Sequence, residues 1–93
     1  MILIACSVRD AKSESFGRPF FLVSVGSAIR SFDDEVNREA ADNTMYHHAA
    51  DFALYQLGTF DDQDGSYTAI TPKLLVQGNE VQRKKEVGLS VVR

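Results

Sequence analysis

"DFALYQLGTFDDQDGSYTAITP", residues 51–72, decides the fold. Phe52, Leu54, Gln56 and Gly58 alternate with Ala53, Tyr55, Leu57 and Thr59, the period-two pattern of a strand. "DDQDG" at 61–65 reads as a turn, because Asp and Gly tolerate the left-handed backbone that a hairpin bulge needs. "SYTAI" at 66–70 is the returning strand, and Thr71-Pro72 should close it, since proline has no amide proton for a ladder. The oxygen-rich turn also looks like part of a calcium loop. An EF-hand, however, needs a glutamate at its twelfth position and helices on both sides, whereas this turn lies between strands.

Upstream, "MYHHAAD" (45–51) suits one helical turn after "ADNT" (41–44) has ended an earlier helix. From Ser27, the residues Ile29, Phe32, Val36 and Ala40 recur at steps of three and four, which predicts a helix near 27–40 with one apolar face. In that frame Arg30 lies on the first turn. Asp33, Asp34 and Glu35 then lie near the start, where the helix dipole favours negative charge; alternatively Ser31 and Asp34 form a capping box for a helix beginning a turn later.

Nearer the start, Ile2, Ile4, Cys6 and Val8 alternate with Leu3, Ala5, Ser7 and Arg9, predicting a strand over 2–9. "DAKSESFGR" (10–18) reads as a loop, and Pro19 biases Arg18 toward an extended backbone. "PFFLVSV" (19–25) is either a short strand or an extended approach to the helix, in the core on both readings. Beyond Pro72 the pattern weakens. Residues 73–77 and "VGLSVVR" (87–93) suit edge strands, or the segment is an arm that orders on a partner.

The sum is an α+β fold, a β-α-β-β two-layer sandwich with a small antiparallel sheet and one main helix. Residues 1–72 form its single domain, and 73–93 an edge strand or basic tail. One helix covers such a sheet poorly, so a homo-oligomer is expected, most simply a two-fold homodimer.

At 93 residues, 44% hydrophobic and 25% charged, the chain suits one globular domain with a thin core. Its single cysteine, Cys6, forms no intramolecular disulfide and has no second cysteine at metal-ligand spacing, which points to a reducing compartment. "MILIACSVRD" is too short an apolar run for a membrane span and lacks the basic lead of a signal peptide, so a cytoplasmic protein without membrane contact is expected.

A net charge of −3 argues against coating nucleic acid by bulk attraction. The distribution is uneven. Residues 1–30 carry four bases against two acids, 31–70 one base against nine acids, and 71–93 five bases against two, giving +2, −8 and +3. One acidic and one basic face fit that pattern.

His47 and His48 are adjacent, so they point in different directions and make a poor metal pair; no metal or cofactor is expected. His48 and Asp51 would share a face of a helical turn as a base held by a carboxylate, although a capped turn before the strand is the ordinary reading. No phosphate-binding glycine loop or nucleophile arrangement occurs, and the chain is not expected to be an enzyme.

"RDAKSESFGR" (9–18) places Arg9, Lys12 and Arg18 around Phe16, with Arg30 following on the helix. Bases interleaved with an aromatic suit single-stranded nucleic acid, which offers phosphates to the charges and a base to the ring. The alternative is that Phe16 and Phe20 are core residues and the bases are surface charge. Arg30 could equally form a buried pair with Asp10. Arg83, Lys84 and Lys85 are a short basic run suited to an auxiliary contact.

Together, "VRDAKSESFGRPF" (8–20), "AIRSFDDEVN" (28–37) and "DFALYQLGTFDDQDGSYTAITP" (51–72) resemble the small non-structural protein of gokushoviruses, tailless single-stranded DNA bacteriophages of the microvirus group. That family's pattern runs Val-Arg-Asp, Pro-Phe, Ala-Ile-Arg-x-Phe, then Asp-Tyr/Phe-x-Leu-Tyr-x-x-Gly-x-Phe-Asp and a glycine turn. The chain departs from it at Ala49 and Ala50, where the family often has Pro-Glu, and at Asp64-Gly65, where it has Thr-Gly.

The resemblance implies a DNA-binding protein of the infected bacterial cytoplasm, absent from the virion. It would favour single-stranded genome synthesis or packaging over double-stranded replication, with single-stranded DNA or the phage replication and packaging complex as partner. The rival expectation is a protein-interaction factor that docks the replication initiator, procapsid or a host protein through the acidic stretch 33–64.

Overall fold

The computed structural model describes residues 1–83. Nine elements follow in order: β1 (Ile2–Asp10), β2 (Ser15–Phe16), β3 (Phe20–Leu22), α1 (Val25–Val36), α2 (Thr44–His47), a 3-10 turn (Ala49–Asp51), β4 (Phe52–Asp61), β5 (Tyr67–Gln77) and α3 (Gly78–Val81). The fold is α+β with one main helix on a five-stranded antiparallel sheet. Its order is β2-β1-β4-β5, with β3 also pairing β1. The hairpin read from residues 51–70 is therefore β4 and β5, and "PFFLVSV" resolves into β3 plus the entry to α1.

β5 does not stop at Thr71-Pro72 but runs through it to Gln77. It is the edge strand, and residues 70–72 fall where its register against β4 slips, between Gln56↔Lys73 and Gly58↔Ala69. A proline at a bulge on an edge strand withholds no ladder bond that the sheet requires.

Helix α1 starts earlier than its apolar spacing suggests. Ser24 is its cap: the backbone is extended there, and the Ser24 hydroxyl accepts from the Ser27 amide at 3.1 Å. The helix ends at Val36, so Asp33, Asp34 and Glu35 lie in its last turn rather than near its start. Acids oppose the helix dipole there. Two cations offset them: Arg38 binds Glu35 through Nε and Nη2 at 3.0 and 2.7 Å, and Arg83 binds Asp33 at 2.8 Å. The Arg38 contact holds the Glu35 carboxyl below its ordinary range.

The C-terminal end of α1 is closed by asparagines. Asn37 donates its side-chain amide to the carbonyls of Asp33 and Val81, at 2.9 and 3.1 Å. Asn43 is buried; it donates to the carbonyls of Glu35 and Arg38, each at 2.8 Å, and accepts from the Met45 amide as the cap of α2. One side chain thus serves the end of one helix and the beginning of the next, adding to the backbone bond on the Glu35 carbonyl and holding that of Arg38 just past the helix.

The core lies between α1 and one sheet face: Ala28, Phe32 and Val36 from the helix meet Cys6 and Leu54 from the central strands, with Ala49 from the 3-10 turn. Ile4, Val8, Phe20, Leu22, Phe52, Leu75 and Val76 pack around them. Burial raises the Cys6 thiol pKa, which keeps that side chain a small protonated core residue. Gly78 starts α3 against this core, where a Cβ would run into the Ala49 carbonyl. No helix among the described residues is long and apolar enough to cross a membrane.

Candidate nucleic-acid interface

Pairing register decides which side chains share a face, because directly opposed residues of antiparallel strands project to the same side. Ile4, Cys6 and Val8 point to α1, so Leu3, Ala5, Ser7 and Arg9 point away. Their cross-strand partners are Phe60, Gly58, Tyr55 and Ala53 on β4, with Phe21 opposite Ala5 and Phe16 opposite Arg9. Leu74 faces Tyr55 and Tyr67 faces Phe60 across the β4–β5 pairing. No element of residues 1–83 lies over this second face, which carries five aromatic rings and no carboxylate from these strands.

Those rings form two groups. Near the end of β1, Phe16 meets Tyr55 edge-on with centroids 5.4 Å apart; farther along, Phe21 and Phe60 lie 5.3 Å apart at a tilt. Tyr67 extends over Gly58, where a Cβ would approach its ring to 2.9 Å and would collide with the Thr68 carbonyl. Glycine lets that ring lie close to the sheet. Much apolar surface stays in water: Phe16 is 40% exposed, Phe21 and Tyr67 47%, and Leu74 45%.

The β1–β2 hairpin brings bases to one end of this face. Asp10 accepts from the Lys12 amide at 2.9 Å, Glu14 adopts a left-handed conformation with φ of 57°, and the Ala11 amide bonds Asp51 O at 2.8 Å, tying the turn to the 3-10 segment. Below it, the buried Ser7 hydroxyl donates to Gly17 O at 2.7 Å. Arg9 is half-buried opposite Phe16 and borders a recess of about 170 Å³ that includes Asp51, Tyr55, Leu74 and Gln77. Lys12 and Arg18 are exposed on the same hairpin and just after it.

Of the residues that sequence reasoning singles out, Arg9 and Phe16 are paired across β1 and β2, while Lys12 in the connecting turn borders the recess of Thr44 and His48 on the helix side, and Arg18 is exposed just beyond β2. Phe20 packs in the core while Phe16 does not, so the two phenylalanines divide the two roles between them. Arg30 stands apart: it is exposed in the middle of α1, on the layer that covers the other face, and no buried pair with Asp10 forms. Arg83 is engaged with Asp33 through its side chain and with Asn37 through its amide. Lys84, Lys85 and the "VGLSVVR" strand lie outside the described residues.

Tyr55, Phe60, Tyr67 and Leu74 escaped sequence reasoning as surface groups. Their alternation marks them as one face of two strands, but only the position of α1 reveals that this face is uncovered.

His48 and Asp51 border a shallow recess of about 220 Å³ beside Lys12, and among the described residues their side chains share no hydrogen bond. His47 contacts Ala40 O through Nε2 at 3.0 Å. No group of three or more metal-ligating side chains occurs among the described residues. On the opposite layer, Val8, Phe20, Phe32 and Met45 floor an open groove of about 760 Å³, with Ser31, Asp34, Glu35 and Arg38 at its rim.

No curated protein and no solved structure matches the chain. A family model, described as Phage ORF5 protein, matches residues 3–81, from the first strand through the last described helix. The chain belongs to the Phage ORF5 protein family and is a phage protein.

Proposed function

We propose that this phage protein binds single-stranded DNA on the uncovered face of its sheet, at the end bearing the β1–β2 hairpin. The observation that carries this reading is the pairing of Arg9 with exposed Phe16 beside Tyr55. A base stacked on Phe16 beside Tyr55 would leave its phosphate to Arg9, Lys12 and Arg18, and every base has a face that an aromatic ring accepts. A duplex keeps its bases stacked internally, so the rings offer it little.

In the phage context, such a protein would act in the infected cytoplasm as a non-structural factor. As the gokushovirus resemblance implies, it would hold the single strand for genome synthesis or packaging. Three bases give a weak to moderate, salt-dependent interaction, with a slope in log affinity against log salt of about −2 at roughly 0.7 per single-strand phosphate contact.

The groove beneath α1 favours a second reading. An apolar floor with Asp34 and Glu35 at its rim suits an apolar residue of a basic protein segment, which would make the chain an adaptor to the replication or packaging machinery.

Fluorescence anisotropy of a labelled single-stranded oligonucleotide at two salt concentrations, with the matching duplex as control, separates the readings. Salt-sensitive binding that prefers the single strand supports the sheet-face site. Absence of binding by folded protein leaves the groove as the functional surface.

A further inference from the structure

The far end of the uncovered face has a different character from the hairpin end. Around Phe21, Phe60 and Tyr67 the neighbouring side chains on that face are Leu3, Ala5 and Ala69, without a base among them. Just beyond, at the tip of the β4–β5 hairpin, stand Asp61, Asp62 and Asp64. The Asp64 carboxyl is held below its ordinary range by the Ser66 amide, so it stays charged. The Met1 ammonium binds Asp62 at 2.7 Å and lies 4.0 Å from Asp61, which leaves the tip negative overall, so a phosphate chain is repelled there whereas an uncharged apolar surface is not.

We infer that this end of the sheet face packs against the same surface of a second copy, about a two-fold axis passing near Phe60. Three features support that occupant. First, the patch is neutral and apolar, and so complements itself, as an isologous contact requires. Second, a two-fold axis lying in the plane between the two faces, at right angles to the strands, runs the two sheets in opposite directions. Each acidic tip is then carried away from its twin and toward the partner's end of the sheet that bears Arg9, Lys12 and Arg18. Third, association by strand addition is disfavoured. β5 is bulged and contains Pro72, and the opposite edge is interrupted between β2 and β3 by Gly17, Arg18 and Pro19.

The contact goes beyond the DNA reading and stands without it. It leaves Phe16 and Arg9 free at the two outer ends of the pair, so the dimer would present two hairpin sites to one strand.

The test is sedimentation of the full chain over a concentration series at low and high salt, together with two variants. The wild type should sediment at twice its 10.3 kDa mass, undiminished by salt and without larger species. Phe21→Asp should sediment as a monomer with an unchanged circular dichroism spectrum. Phe60→Cys should form a disulfide-linked dimer on mild oxidation, because a residue beside a two-fold axis meets its own copy, while buried Cys6 does not compete. A wild type that stays monomeric at hundreds of micromolar overturns the inference, as does a Phe60→Cys chain that does not cross-link. A loss of DNA binding with dimerisation intact would overturn the function proposed above and leave the interface standing.

Discussion

The two faces of one sheet are built from alternate residues of the same strands, yet they meet different environments. Toward α1, Cys6 and Leu54 are fully buried against Phe32 and Val36. Away from it, Phe16, Phe21, Tyr67 and Leu74 keep 40–47% of their surface in water. A strand residue moved by one position exchanges one environment for the other. The covered face therefore carries the stability of the fold. The uncovered face holds large apolar rings whose exposure contributes little to that stability, and this is the pattern expected of a contact surface.

The sharpest way to break this contrast is at Phe32, the largest helix residue in the core. Phe32→Ala should lower unfolding free energy by about 3–5 kcal/mol, read by urea denaturation. Any residual folded fraction should bind oligonucleotide with wild-type affinity. Phe16→Ala is the converse: affinity for single-stranded DNA should fall by about 1–3 kcal/mol in anisotropy titrations, with the denaturation midpoint barely moved. If Phe16→Ala instead unfolds the protein, the uncovered face is structural after all.

The boundary between the two regions is sharpened at Asn43. Asn43→Ala removes two bonds to the end of α1 and one to the start of α2, at an expected cost of about 1–2 kcal/mol without a change in DNA affinity. Changing Arg9 and Lys12 together to alanine should weaken binding and reduce the salt slope by about 1.4, read from affinities at several salt concentrations.

The smallest effect concerns pH. Because the folded Glu35 pKa is lowered, its pairing with Arg38 stabilises the native state above the carboxyl's unfolded pKa. That stability is lost as pH falls through the folded value. Thermal midpoints measured at and below about pH 4.5 should therefore decline slightly less in Arg38→Ala than in the wild type.

Where the hydrophobic period was strong, the sequence was informative. The alternation in 52–60 and the three-four spacing of Ile29, Phe32 and Val36 located β4 and α1 because both elements bury one side only. Helix ends were harder. Ser24, Ser27 and Ser31 are equivalent as letters, and only the extended backbone before Val25 makes Ser24 the cap. That displacement also moved the acids from the favourable end of the dipole to the unfavourable one, where Arg38, just past the helix, and Arg83, fifty residues on from Asp33, answer them. Pro72 misled because its cost depends on whether a strand lies at the edge, a property of the whole sheet. The candidate interface was half legible: the spacing of Arg9, Lys12, Phe16 and Arg18 signalled a hairpin cluster, while the rings of β4 and β5 became visible as surface only once the helix had chosen its side.

The order β2-β1-β4-β5 also has a consequence for how the chain reaches this state. β1 finds β2 and β3 within a few residues, but its longest pairing is with β4, beyond residues 11–51. During synthesis at 5–20 residues per second, the unpaired backbone edge of β1 meant for β4 waits about 2–10 s for its partner. Loop closure over that distance places the central pairing late in folding, on the slower millisecond-to-second scale of non-local sheets. The local meander of β1, β2 and β3, with α1 laid across it, can shelter the strand meanwhile. The β4–β5 hairpin, which closes on its own turn, would then arrive preformed.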